Sequence, residues 1–139
     1  MLMEIYTNVK TLERGNVNMS KFERFEDIAA WKEGCRLATR IYEITKTEKF
    51  SKDWGLKEQI QRAAVSIPSN ISEGFERDSR QEFIRFLFIA KGSAGEVRTQ
   101  LYIAKNLEYI DARTFDGLID KAKYVSSLIA NLIKYLRER

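Results

Sequence analysis

Arg80, Lys91, Arg98 and Lys105 stand 11, 7 and 7 residues apart, with Arg77 just ahead of them. On one helix, at about 100° per residue, these intervals return to nearly the same direction and draw a basic line roughly 38 Å long. Such a row can track a phosphate backbone, because each charge it neutralises releases counterions and strengthens binding at low salt. It can equally flank a bundle seam, where lysine and arginine stems cover core edges and pair with glutamates of a neighbouring helix. Glu82, Glu96 and Gln100 take the other flank of the same segment. No base-reading motif or exposed row of stacking aromatics accompanies the line. Nucleic-acid contact through it is therefore expected to depend on shape and charge more than on sequence.

Catalytic chemistry has little to draw on. The chain contains no histidine, which removes the commonest general base and metal ligand. Ser-His and Cys-His nucleophiles are excluded, as are the Glu-x-x-His pairs of di-iron bundles. Glu73 and Glu96 would approach each other if their helices pack antiparallel, but capping and ion pairing explain both carboxylates adequately. The expectation is no catalytic residue, no metal and no cofactor. Cys35 is the single cysteine; it cannot form an internal disulfide, fits a reducing cytoplasm and reads as a small core residue.

The elements that must position the basic line follow from patterning. With 139 residues, 44% hydrophobic and 32% charged, the chain has the size and composition of one globular domain. One proline and seven glycines imply few, long elements. A formal charge of +4 permits an anionic partner without requiring one. No apolar run approaches the roughly 20 residues of a membrane span, so no membrane partner is expected. The start of the chain does not read as a signal peptide. Residues 1–24 lack a sustained period and form an N-terminal extension, a poorly ordered tail or an arm packed on a neighbour. Met19 offers an alternative start for translation.

Residues 25–139 read as four helices. In the first, Ile28, Trp31, Cys35, Ala38 and Tyr42 recur by threes and fours, with Leu37, Ile41 and Ile44 widening the face, and "TEKFSKDWG" follows as a loop. In the second, Leu56, Ile60, Ala64, Ile67, Ile71 and Phe75 keep one face across Pro68, which predicts one helix with a kink. Asn70 and Glu73 have the spacing of a cap and its return contact, the signature of a restart that the continuous face argues against. The third, opened by Ser79 and Glu82, repeats Phe83, Leu87, Ala90, Ala94, Val97, Leu101 and Ala104 as a strict heptad. The fourth starts near Thr114 and carries Leu118, Ala122, Val125, Ile129, Leu132 and Leu136. The fold class is all-α, an antiparallel up-down four-helix bundle.

"FIRFLFIA" (83–90) exceeds what one bundle face needs. Phe83, Ile84, Phe86, Phe88 and Ile89 point in nearly every direction, and a helix turn apolar all round wants burial on all sides. Loop 48–54 or the N-terminal arm could cover the surplus; a second subunit is the preferred cover, making these five residues an oligomer interface. Gly92, Ser93, Ala94 and Gly95 follow directly and suggest close approach of another backbone, such as the "SNISEG" half of the second helix.

The segments "FEDIAAWKEGCRLA", "AAVSIPSNISEGFER" and "EFIRFLFIAKGSAGEVRTQL", followed by "LEYI", resemble the bacterial 23S ribosomal RNA intervening-sequence proteins, also called four-helix-bundle proteins. The likeness covers about residues 25 to 136. It implies a homopentameric barrel of four-helix protomers. It also implies kinship with the accessory variability proteins of diversity-generating retroelements, whose basic surface is thought to bind nucleic acid and reverse transcriptase. Ribosomal RNA or another nucleic acid, and a reverse transcriptase in a retroelement setting, are the partners so implied. Arg62, Arg77 and Arg85 match positions where the family pattern often carries basic residues. Lys91, Arg98 and Lys105, with Arg80, come from the spacing alone. Two functions follow as expectations: an oligomeric, non-enzymatic nucleic-acid-binding protein, or a structural adaptor that recruits a protein partner.

Overall fold

The four apolar repeats become the four long helices of a computed structural model that describes residues 22–139. A 3-10 turn, Phe25–Asp27, leads into α1 (Ala29–Ile44); α2 (Glu48–Lys52), α3 (Trp54–Glu76), α4 (Arg80–Asn106) and α5 (Ala112–Arg137) follow, with no strand among the described residues. The alternative start at Met19 and the N-terminal extension as far as residue 21 lie outside the described residues. Phe22 is buried with the core side chains.

Short polar side chains fix where the helices begin. Asp53 accepts from the Leu56 amide at 3.1 Å, Ser79 from the Glu82 amide at 3.3 Å and Asp111 from the Thr114 amide at 2.8 Å, each satisfying an orphan donor of a first turn. Thr114 is therefore the target of the fourth long helix's cap and not the cap itself. Asp78 and Glu108, in the left-handed region at φ 57° and 62°, turn the chain after α3 and α4.

Residues 48–52, expected as loop, form the short helix α2. Glu48 in its first turn and Lys49 and Lys52 in its last complement the helix dipole. The turn drives Phe50 into the core, where its ring lies 5.2 Å from that of Tyr109. Gly55 falls inside α3 and ends nothing.

The core is built from one face of each long helix. All seven heptad residues of α4 and the six-residue stripe of α5 are buried. The inward face of α1 differs from the expected one: Ala30, Gly34, Leu37, Ala38, Ile41 and Ile44 are buried, whereas Tyr42 is exposed and Trp31 and Cys35 are half-buried. Small residues face inward because α1 approaches α3 closely. A Cβ on Gly34 would sit 3.3 Å from Ile67 and 3.4 Å from Pro68. Trp31, Cys35 and Tyr42 instead line an open groove of about 610 Å³ with Val65 and Pro68.

Pro68 lies inside a continuous α3. Its ring is buried at the crossing with Gly34, so the residue that weakens the helix also supplies packing surface. No second cap opens after it: Asn70 donates its amide to the Ser66 carbonyl at 2.7 Å, and Glu73 pairs with Arg77.

The long helices pack in a closed order, α1 on α3 and α5, and α4 on α3 and α5. At the α3–α4 crossing a Cβ on Gly74 would lie 2.6 Å from that of Phe86. Gly74 is thus the glycine that close approach requires. Of the small run in α4, Ser93 and Ala94 are buried, and Ser93 meets Ser66 by a hydrogen bond. Gly92 and Gly95 have nothing within 4 Å of an added Cβ among the described residues.

Candidate functional site

The apolar girdle of "FIRFLFIA" separates into three environments. Phe83 is fully buried, edge-on to Phe75. Phe86, 7% exposed, is held against Gly74, and Ile84 is half-buried against the core. Phe83 and Phe86 are therefore covered by their own chain. Phe88 (44% exposed) and Ile89 (41%) remain at the surface, about 100° apart around the helix.

The basic residues divide as sharply. Arg62 pairs with Glu58 at 2.9 Å. Arg77 meets Glu73 at 3.1 Å and Glu82 at 3.5 Å, and Arg85 meets Glu82 at 3.1 Å. Both guanidinium groups also lie over the Phe86 ring, at 4.9 and 4.5 Å, a cation–π arrangement that shields the ring's edge. The hydrogen bond from Arg85, and then the charges of Arg85 and Arg77, hold the Glu82 carboxyl below its ordinary range. The same partner raises Arg85 further. These three arginines are answered by carboxylates one helical turn away, which leaves little free positive charge.

Arg80, Lys91, Arg98 and Lys105 occupy the side of α4 that turns toward α5. Arg80 donates to the Leu136 carbonyl at 3.5 Å, satisfying part of the last turn of α5. Lys91 shares an open recess with Ile133, Lys134 and Arg137. Lys105 rests 4.5 Å over the Phe115 ring. Arg98 is half-buried, and its Nε is shielded from solvent without a hydrogen-bond partner among the described residues. From α5, Lys134 and Arg137 join the row, Arg137 lying 5.0 Å from the Phe88 ring centroid. Among the described residues no carboxylate comes within ion-pair distance of any of these six cations. Pairing across a seam fits Arg77, which reaches Glu82 on the next helix, whereas Arg80, Arg98 and Lys105 rest along the edge of the core without a carboxylate partner among the described residues.

The α5 contribution escaped the sequence reading. Lys134 and Arg137 sit in the last turn of α5, where basic residues already have a reason to be, offsetting the helix dipole. Only the packing of α5 on α4 brings them beside Lys91.

The two carboxylates weighed as a catalytic pair stay apart. Glu73 adjoins Gly74, which packs on Phe86, and Glu96 lies ten residues further along α4, about 15 Å by helical rise. Among the described residues no group of three or more carboxylates and thiols gathers where a metal ion would sit. No helix of the described residues is long and apolar enough to cross a membrane.

An all-helical bundle carrying a row of cations without carboxylate partners among the described residues is thus the class of protein that fold and site define. The chain belongs to the family of 23S rRNA-intervening sequence proteins, whose sequence profile matches residues 26–131. A similar solved structure is that of a protein with unknown function from the S23 ribosomal protein family of Bacteroides thetaiotaomicron. It is 28% identical, with a TM-score of 0.71, over 76% of this chain and 99% of that one. No curated protein matches the chain.

Proposed function

We propose that the protein is a non-enzymatic, cytoplasmic, oligomeric nucleic-acid-binding protein that engages structured RNA or an RNA–DNA intermediate through backbone charge. The observation that carries this reading is the α4–α5 row of six cations without carboxylate partners. Arg62, Arg77 and Arg85 have carboxylate partners; six cations without such partners among the described residues, gathered along α4 and the end of α5, suit a repeating polyanion. In a retroelement setting a reverse transcriptase would be the protein partner.

The protomer fits an antiparallel up-down four-helix bundle, bent at Pro68. In support, Thr45 at the end of α1 meets Gln61 in the first half of α3, Arg80 at the start of α4 meets the Leu136 carbonyl at the end of α5, and Ser66 meets Ser93 midway along α3 and α4. Assembly, as a pentamer by family resemblance, would use the outer face of α4. Ile89, Gly92, Glu96, Thr99 and Ile103 are all exposed there and alternate steps of three and four, a second heptad seam on a helix whose first seam already fills the core. Glycine in a helix interior costs about 1 kcal/mol relative to alanine, and no contact among the described residues at the position of a Gly92 Cβ offsets it. A sister helix approaching closely supplies that offset, and repetition of the basic face around a ring multiplies weak contacts.

The test is binding to a duplex-containing RNA at about 50 mM and about 200 mM salt, with Arg80→Glu, Lys91→Glu and Arg98→Glu combined. Binding that falls steeply with salt and is lost in the triple variant is expected. An intact oligomer that ignores RNA at the lower salt would sink the reading.

One observation favours an adaptor role instead. Trp54 is 73% exposed, with Lys57 over its ring, and Leu107 is exposed near the same end of the bundle. A nuclease-insensitive complex with a protein partner, abolished by Trp54→Ala, would support that alternative.

A further inference from the structure

We infer that the recess between the centre of α4 and the end of α5 is a subsite for a single unstacked nucleobase and its adjoining phosphate. This rests on the nucleic-acid reading but goes beyond it, since a backbone-tracking face needs no aromatic and no concavity. The recess, about 280 Å³, is lined by Phe88, Lys91, Ile133, Lys134, Arg137 and Glu138, among others. Three of its properties point to one ligand.

Phe88, 44% exposed, is the aromatic that lines the recess with the cations. The Arg137 guanidinium lies 5.0 Å from the ring centroid. The guanidinium covers one face of the ring, so a base stacks on the ring's other face or on the outer plane of the guanidinium, either of which accepts bases of any identity. Lys91 and Lys134 bring two ammonium groups to the same recess, and neither has an ion-pair partner among the described residues. A phosphate attached to a base on Phe88 would meet them directly.

Glu138, the carboxylate of the lining, disfavours a phosphate on its own side. It is also an acceptor for an exocyclic amine or ring N–H at the base edge. Ligand orientation follows from this polarity: base toward Glu138, phosphate toward Lys91 and Lys134. A fully paired helix buries its base faces in its own stack and cannot use Phe88. A bulge, loop or free end can. The recess therefore gives a face that otherwise reads only charge a preference for interrupted over perfect duplexes. An acidic, aromatic-bearing peptide is the competing ligand class. It is disfavoured because the positive row continues from the recess along α4 to Arg98 and Lys105, as a second and third phosphate would need.

The experiment compares two RNA hairpins of equal charge at about 50 mM salt. One is fully paired; the other carries one bulged 2-aminopurine. Wild-type protein is expected to bind the bulged hairpin more tightly. Phe88→Ala should weaken that complex about tenfold, the lower part of the range for loss of one base–aromatic stack, and leave the paired hairpin within about twofold. Phe88→Trp should retain bulge binding and quench the 2-aminopurine. Equal losses on both hairpins, no loss on either, or an unquenched probe with Phe88→Trp would overturn the subsite while leaving the charge-tracking face intact. Failure of wild-type protein to bind either hairpin would overturn both readings. Tighter binding of an acidic aromatic peptide than of the bulged hairpin, lost with Phe88→Ala, would reassign the recess to protein. Because Phe88 is exposed, both variants should keep wild-type helicity, which circular dichroism checks.

Discussion

Tyr109 donates its hydroxyl to Asp53 across 2.8 Å, joining two connections that lie 56 residues apart in sequence. The same aspartate caps α3 through the Leu56 amide. One carboxylate thus orders a helix start and ties it to the turn between α4 and α5.

That arrangement predicts a defined pH dependence. The Asp53 carboxyl is held low first by the Leu56 amide and then by the Tyr109 hydroxyl. Its stabilisation is present above the unfolded carboxylate value of about 3.9 and is lost as pH falls through the lower folded one. Tyr109 is raised, chiefly by the same bond, so its share is present below about pH 10 and lost as pH rises through the folded value. Tyr109→Phe should lower the melting temperature at neutral pH, and the difference from wild type should shrink toward about pH 3. Asp53→Ala should cost more, because the cap goes too. A Tyr109→Phe difference that is constant from acid to neutral pH would disprove the coupling.

Two glycines should respond oppositely to the same substitution. Gly74→Ala forces a methyl into Phe86 and should destabilise the protomer by about 1–3 kcal/mol, measured by urea unfolding. Gly92→Ala meets open space within the protomer and should stabilise it by up to about 1 kcal/mol. Sedimentation should nonetheless show weaker assembly, because the added methyl holds a sister helix away. Unchanged assembly with Gly92→Ala would remove that helix from the proposed seam.

Phe86 and Ile89, three residues apart on α4, predict different failures. Phe86→Ala removes a buried ring packed on Gly74 and should destabilise the protomer by about 3–5 kcal/mol. Ile89→Asp changes an exposed position and should leave helical content intact while lowering the oligomeric mass. Loss of stability in both would return Ile89 to the core.

Neutralising cations should separate the two basic groups. Lys91→Gln and Lys105→Gln should each flatten the dependence of log affinity on log salt by about 0.7–0.9, the share of one phosphate contact. Arg62→Gln, whose charge is already matched by Glu58, should barely change it. Equal effects from all three would mean that diffuse net charge, rather than the α4–α5 row, drives binding.

Legibility followed side-chain type. The heptads of α4 and α5 could be read directly, since every residue in them is apolar and buried. The inward face of α1 could be read only in part: Ile28, Leu37, Ala38, Ile41 and Ile44 are buried as expected. Its large residues, Trp31 and Tyr42, line a groove, while Gly34 and Ala30 face the core. Hydrophobic size misleads wherever helices approach closely. Phe50 was lost in a segment whose lysines and glutamates read as loop. The cap of α5 was placed three residues late because Asp111 and Thr114 both have capping chemistry, and only the hydrogen bond tells donor from acceptor.

The order of residues alone determined that this chain is helical, where its long helices run, and that one side of α4 bears a periodic positive charge, since these depend on spacing within a single helix. Tertiary structure decided which cations stay free. Glu58, Glu73 and Glu82 lie within a turn or so of their arginines, whereas Lys134 and Arg137 reach Lys91 and Phe88 only because α5 folds back along α4. Electrostatic neutralisation is a matter of a few ångströms between side chains, and a linear pattern carries no such distances once the chain has turned a corner.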